Sequence, residues 1–564
     1  MNTPELLLIL AGSLAVSAFA RWRGWPAPLL VVAVALGVSF IPGIPPVEID
    51  SEVILTVVLP PLLYSAALDV SFQNFTQSVR HIRRLGVGLV IVTTVVVGLI
   101  AYWIVPELTL PGALLLGAIV APPDAVSAAA IGRRLGLPRG VMTVLSGESL
   151  INDAAALTLF RVFIAIIGGS ALSFGGVIGT FVLAIVVGVV VGLAIGVVVQ
   201  FVRVRLRDSV VAATLGLLVP FGAYAAGEAL HGSGVLAVVA AGLYIGYNSP
   251  KTGYETRLQE RPVWSSIDLL FEGFVFALIG LQVFSVTQNV ASNSLGLAKS
   301  IGLAAAVFAV VILVRPVFVY TAYFRARWQA RAQKKIPILR HLASKHEPEL
   351  SWQELAVISW SGMRGVVTLA AAAAVPVVTA AGPVAQRDTI NLVAFVVTIG
   401  TLIVQGLSLP WVIRRLSVAD LGQAERDAED EVRIFERSVR ETKDYIDEHH
   451  DEWAARYGTA ELDRSLGTLI SQFERQVAVL LDEHDLEEQD IDSAGVDTST
   501  VRAPRLSGPE LTELRRELLD HRRSIIIRER NNGELDEEVM RSVLRGIDSE
   551  QLALDTSAMT RNRR

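Results

Sequence analysis

From about residue 5 to residue 416 the chain is one apolar run after another, each near the ~20 residues that a helix needs to cross a bilayer core. Thirteen such runs are centred near residues 12, 34, 60, 94, 122, 157, 186, 218, 240, 274, 312, 368 and 402. The polar stretches between them alternate. Arg21 with Arg23, then "RHIRR", "RRLGLPR", "RVRLR", "KTGYETRLQER" and "RARWQARAQKKIPILRHLASK", fall in every second loop, while the loops between hold only Lys299 and Arg387. Basic loops stay on the cytoplasmic side, so the N-terminus is expected outside and the C-terminal end in the cytoplasm of a plasma (inner) membrane protein. The first run, "LLLILAGSLAVSAFA", has no basic segment before it and reads as a span rather than a cleaved signal. A soluble helical core would not produce this alternation. Hydrophobic residues make up 52% of the chain. After residue 416 the character flips to dense Glu, Asp and Arg, which divides the chain into a membrane domain, 1–416, and a charged helical tail, 417–564. No cysteine occurs, so disulfides and thiolate metal sites are excluded.

An ionisable side chain inside a span is costly and marks a cavity or a partner. Asp124, Glu148, Asp153, Arg161, Glu272, Arg315 and Arg364 are such residues. In the sixth span, "GESLINDAAAL", a helix turning ~100° per residue puts Ser149 and Asp153 on one face and Glu148 and Asn152 on another. The two acids lie about 140° apart and need not share a task. Ala154, Ala155 and Ala156 leave room beside Asp153 for another helix or an ion. In the fifth span Pro122 and Pro123 each remove an amide donor. The carbonyls of Ala118 and Ile119 then lose their helical partners, which hydrocarbon tolerates only beside a cavity or within protein. Asp124 follows directly. A broken helix, free carbonyls and a carboxylate describe a site for a small hard cation, which prefers oxygen ligands; a simple kink with a salt-bridged Asp124 is the alternative. The twelfth span is interrupted by Gly362, Arg364 and Gly365, then by Pro376. Two interrupted spans seven apart run in opposite directions, the pattern of inverted repeats with a midplane site.

Four segments, "GESLINDA", "APPDAV", "LPPLLYSAAL" and "GMRGVVTLA", resemble the monovalent cation:proton antiporter-1 family, the bacterial sodium/proton antiporters related to animal sodium/proton exchangers. The resemblance covers most of residues 1–416. It implies an all-α, thirteen-span homodimer in which broken spans five and twelve cross, exchanging Na⁺ or a relative for H⁺ with no cofactor. Carried over by position, Asp153 is the shared cation and proton carboxylate, braced by Asn152. Ser149, Asp124 and the backbone carbonyl of Pro123 complete the Na⁺ site. Glu148 is a structural acid paired with an arginine of span eleven, here Arg315 in "VILVRPVFV", with Arg364 of the second break as the other candidate. Two positions depart from the family pattern. Pro123 stands where threonine is common, and Ser65 stands where many members carry a glutamate. Ser65 and Glu272 are therefore secondary candidates for the site.

One carboxylate that accepts either a cation or a proton suffices for one-for-one, electroneutral exchange if the carrier crosses only when occupied. Rigid-body motion of one bundle against another is the usual step. A proton-coupled symporter or a cation channel is the nearest alternative. An intramembrane aspartic protease would need two close acids and a Gly-x-Gly-Asp stretch, and neither "PPDA" nor "INDA" provides it. In the tail, helices are expected near 421–455 and 460–488. "AGVDTSTVRAPRLSG" reads as a linker, and Ser507 with Glu510 as a capping box before a further helix. "EHHDE" at 448–452 reads as a solvated helix face rather than a metal site. The tail carries no nucleotide-binding loop and nothing that points to nucleic acid. It is expected to regulate or dimerise the transporter.

Overall fold

The computed structural model describes residues 3–42, 53–170, 174–206, 208–292, 295–335, 350–420, 422–487 and 509–562. The "AGVDTSTVRAPRLSG" linker, with Ser507 of the expected capping box, lies outside the described residues. Two compact units emerge, Met1–Lys251 with Glu260–Ala419, and Thr252–Gln259 with Asp420–Arg564. The second unit thus claims a short segment that the sequence reading took for an ordinary basic loop.

Among the described residues, the regular structure of the first unit is helical but for one short antiparallel pair, Val378–Thr379 with Gly382–Pro383. Besides shorter helical turns, such as Phe72–Gln77 and Val79–Arg83, its helices are α1 (Thr3–Arg23), α2 (Ala27–Ser39), α3 (Leu59–Asp69), α4 (Val90–Ile104), α5 (Leu110–Val120), α6 (Ala125–Arg134), α7 (Arg139–Ile167), α8 (Phe174–Arg203), α9 (Ser209–Ala229), α10 (Gly234–Asn248), α11 (Tyr254–Ala291, whose first turns belong to the other unit), α12 (Leu297–Lys335), α13 (Trp352–Trp360), α14 (Val366–Ala373), α15 (Arg387–Thr401) and α16 (Leu407–Leu416). Among the described residues, eight helical segments are long and apolar enough to cross a membrane, and Ala27–Ser39, Ile54–Asp69 and Leu110–Val120 are shorter apolar helices. The most apolar segment, Ile178–Arg203, is only 22% buried within the protein. Val186, Val190, Val197, Val198 and Phe201 face outward along it. Water would penalise such a surface and lipid does not.

The helices pack as two bundles. One joins α3, α8, α9 and α10, and the other joins α4, α5, α7, α12, α14 and α15. Glycines set the closeness of the first. Gly188, Gly192 and Gly196 recur every fourth residue on α8, and a Cβ at Gly192 would stand 2.2 Å from the Ala237 carbonyl oxygen of α10. Small residues at this spacing bring two backbones together where no hydrophobic drive between helices exists. Helix α7 belongs to the second bundle yet also touches α3, α8 and α10.

In the second unit, α17 (Gln423–Tyr457), α18 (Thr459–Glu487), α19 (Pro509–Asn532) and α20 (Glu537–Asn562) pack through small apolar cores. One joins Ile434, Leu519, Ile526 and Val543, and another joins Ile446, Trp453, Leu466 and Leu514. The segment 252–259 is held by carboxylates of α20. Arg257 Nε donates to Asp548 Oδ2 at 2.9 Å, and the Tyr254 hydroxyl donates to Asp555. His450 of "EHHDE" sits 2.8 Å from Asp463.

Candidate cation site

The site is built on two helix breaks. Helix α5 stops at Val120, Pro122 and Pro123 supply no amide hydrogen, and helix resumes only at Ala125. The other break lies between α13 and α14, at residues 361–365. Each break answers the other's backbone. The Asp124 amide, which a continuous helix would spend on the Val120 carbonyl, donates instead to Met363 O at 2.6 Å. The Val120 carbonyl so released accepts from Arg364 Nε at 2.7 Å. The Arg364 side chain also donates to Gly362 O, and its amide donates to Thr401 Oγ1 at 2.9 Å. Buried backbone groups must find partners, and here they find them across the two breaks. The sequence pointed to the carbonyls of Ala118 and Ile119, whereas the one that Arg364 takes up is that of Val120. Gly365 is required by this closeness, because a Cβ there would lie 2.2 Å from Asp124 Oδ2.

Helix α7 runs past the first break. Asn152 Nδ2 donates to the Pro123 carbonyl at 3.0 Å, which ties the break to the helix carrying Asp153. One turn earlier, the fully buried Glu148 accepts both guanidinium nitrogens of Arg315, at 2.7 Å for the Nη2–Oε2 contact, and Arg315 Nε donates to Ile358 O at 2.8 Å. Arg364, the other candidate partner for Glu148, spends its donors on carbonyls. A paired, hydrogen-bonded charge of this kind is tolerated in a dry interior where a lone one is not.

Asp153 faces away from that pair and is 7% exposed. Its face opens on a cavity of about 250 Å³. Ser149, Asp124, Ser65 and Glu272 line the same cavity, as do Ser146, Thr368 and Arg133. Glu148, Arg315 and Arg364 stand outside it, while Asn152 and Pro123 brace its wall. Two further carboxylates, Asp69 and Asp268, complete the lining. The sequence reading missed both. Ser65 Oγ donates to Asp268 Oδ2 at 2.6 Å, so α11 places an acid against the serine of α3. The signal for Asp268 was its spacing, four residues before Glu272 and so on the same helix face. Among the described residues no three His, Asp or Glu side chains converge as a transition-metal site would require. The donors are carboxylates, hydroxyls and carbonyls, which suit hard monovalent cations and protons.

Comparison with known proteins places this architecture. A family profile described as "Sodium/hydrogen exchanger, transmembrane" matches residues 6–415. An uncharacterised Na⁺/H⁺ exchanger of Mycobacterium tuberculosis is 34% identical over 399 residues, 70% of each chain. The Na⁺/H⁺ antiporter ApNhaP of Aphanothece halophytica is 31% identical over 424 residues, 74% of this chain and 75% of its own. The solved sodium proton antiporter MjNhaP1 of Methanocaldococcus jannaschii shares the fold with a TM-score of 0.56 at 20% identity, covering 73% of this chain and 98% of its own. With its profile match running from the first helix to the last of the membrane unit, the chain belongs to the sodium/hydrogen exchanger family, multi-pass membrane transporters rather than enzymes.

Proposed function

We propose that the protein is a secondary antiporter that exchanges a monovalent alkali cation, Na⁺ foremost, for H⁺. The observation that carries this reading is Asp153 on the wall of the cavity beside both helix breaks, with Ser149 one turn away and Asp124 at the break itself. Asp153 takes either a cation or a proton, and only an occupied carboxylate leaves water for the dry interior. Movement of the α7 bundle against the α3–α8–α9–α10 bundle then carries the occupied site from one face to the other. One shared group makes the exchange one-for-one and electroneutral. The remaining expectations are parts of the same proposal: thirteen spans in inverted repeats, a homodimer, an outer N-terminus and a cytoplasmic tail. A relative from Bacillus pumilus, 28% identical over 418 residues, is named a sodium, potassium, lithium and rubidium/H⁺ antiporter, which keeps K⁺ and Li⁺ open as cargo.

The test is flux in proteoliposomes with a pH-reporting dye inside, comparing Na⁺, Li⁺ and K⁺ at clamped voltage. Antiport predicts proton movement opposite to the cation and an initial rate indifferent to voltage. More acid should raise the apparent KM for the cation and leave the maximal rate nearly unchanged. Cation flux without proton counterflow would make the protein a channel. A voltage-dependent rate would show a second exchanging proton, for which Asp124 is the first candidate.

A further inference from the structure

Arg161 is an intramembrane charge with no part in the cavity just described. It lies on α7 eight residues beyond Asp153, about 12 Å along the axis at 1.5 Å per residue. Its guanidinium donates to Glu228 and, at 2.9 Å, to the Tyr224 hydroxyl, and its charge lies 5.9 Å from the Tyr224 ring centre. Both partners belong to α9. The contact therefore ties the helix that carries Asp153 to a helix of the other bundle.

Glu228 is held from behind. Its Oε1 also accepts the Gly234 amide at 2.8 Å, where α10 begins. A Cβ at Gly234 would meet that oxygen at 2.6 Å and the Tyr224 carbonyl at 2.8 Å, so a glycine is needed for the carboxylate to sit there. The turn is pinned in turn to α8, because the Ser233 amide donates to Ala184 O at 2.9 Å. Glu228 is thus a fixed post, and Arg161 is the moving partner.

The position along α7 is telling. Every α7 residue lining the cavity lies at or before Asp153, namely Ser146, Ser149, Leu150 and Asp153. The other lining residues include Asp69 at the end of α3 and Arg133 near the end of α6, beside the basic loops. Beyond Asp153 the cavity stops. Ala154, Leu157 and Phe160 of α7 pack there into one buried cluster with Tyr224, Val235 and Val238. Arg161 and Glu228 come immediately after this apolar layer. Their side chains are 37% and 33% exposed, which places them at its outer rim.

We propose that Arg161, Glu228 and Tyr224 form the latch that holds the side away from the cavity closed, with the Leu157–Phe160 layer as the seal beneath it. Transport requires the latch to part when the α7 bundle moves. Arg161 and Glu228 are positioning residues that set how often Asp153 faces the far side. This inference rests on the alternating-access reading above.

The absence of native cysteine allows a clean test in the full chain. A single reporter, Leu157→Cys, is placed in the seal and challenged with a membrane-impermeant maleimide in membrane vesicles of each orientation. With the latch intact, labelling from the far side is slow. Glu228→Gln or Arg161→Gln should speed it by roughly fivefold, the population shift that one partly exposed charged pair supports. Glu228→Asp, and the exchanged pair Arg161→Glu with Glu228→Arg, should return it toward the slow rate. Unchanged labelling in both Gln variants, or acceleration seen only from the cavity side, would overturn the latch. A variant that fails to fold is recognised by loss of its monodisperse elution, and the exchanged pair then decides. Flux is measured alongside. If the parent chain moves no cation against protons, the functional reading falls, while the labelling still reports whether the pair closes that side.

Discussion

Charge is used in opposite ways in the two units of this molecule. In the membrane unit it is sparse, and several charged groups have one defined set of partners: Glu148 with Arg315, Arg161 with Glu228, Arg364 with the carbonyls of Val120 and Gly362. In the tail it is plentiful and interchangeable. Lys443 meets Glu474, Arg437 reaches Glu441, Glu529 and Glu534, and Arg515 meets Glu550, several of them with their side chains largely in water. The same chemical pair is therefore worth different amounts in the two places. In a dry interior an abandoned charge has nothing to replace its partner, whereas on a wet helix water does so. Asp153 is the instructive contrast in the membrane unit, a buried carboxylate on a cavity wall, which the proposed function gives to cargo.

The comparison can be broken at several points. The largest effect belongs to Asp153→Asn, which should abolish cation-driven proton flux in proteoliposomes while the protein still elutes as a folded species. Near wild-type exchange in that variant would remove Asp153 from the mechanism. Next is Glu148→Ala, which strands Arg315 and should cost about 3–5 kcal/mol of stability, with the cation preference of any surviving protein unchanged. Thermal unfolding of the purified chain reads it, and the control is Lys443→Ala in the tail, which should move the midpoint by no more than about 1–2 °C. Equal shifts from the two variants would erase the contrast drawn here.

Asp268→Asn sharpens the contrast that Asp153 makes. It removes a charge from the cavity without touching Asp153, so the apparent KM for the cation should rise about three- to tenfold through lost local attraction while the maximal rate stays within about twofold. A loss of maximal rate instead would make Asp268 part of the exchange itself. Deleting the chain from residue 425 should preserve exchange and shift its pH or cation dependence. Asp548→Asn, which loosens the hold on Arg257, should reproduce part of that shift; if it leaves the profile untouched, the tail acts by another route.

The smallest effect is a proton on one tail histidine. Burial, against the opposing pull of Glu441, holds His521 below its ordinary value of 6.5. The unfolded tail therefore binds a proton first, and the stability that neutral His521 contributes is present above about pH 6.5 and is lost as pH falls below it. Amide exchange in α19, corrected for its intrinsic pH dependence, should quicken below that pH, and His521→Gln should flatten the change.

Much of this site was legible because its residues sit close together in the chain. Helical geometry alone put Ser149 beside Asp153 and turned Glu148 elsewhere, and two prolines before Asp124 announced a break. The Glu148–Arg315 pair came through family resemblance, since no periodicity relates residues so far apart. Asp268 shares a helix face with Glu272, but its contact with Ser65 was hidden for the same reason. It reaches the cavity only because α11 passes α3, and nothing around Ser65 in the chain encodes that passage. The role of the Val120 carbonyl was hidden too, because the donor it receives is supplied by the second break. Likewise "KTGYETRLQER" showed its charge in the sequence but not its carboxylate partners on α20.

The hydrogen bond from the Asp124 amide to the Met363 carbonyl has a consequence for how the protein is made. The first break is synthesised and enters the membrane long before the second exists. Until α13 and α14 arrive, the Val120 carbonyl and the Asp124 amide have no place to go but water or a helper protein, and Asp124 itself has no reason to stay in the bilayer. The nascent first half is therefore an unfinished object that the insertion machinery must shelter, and α13 and α14, late in the membrane unit, act as its keystone. Ribosome-bound chains ending after α12 should leave Asp124 open to aqueous reagents, and chains extended past α14 should close it.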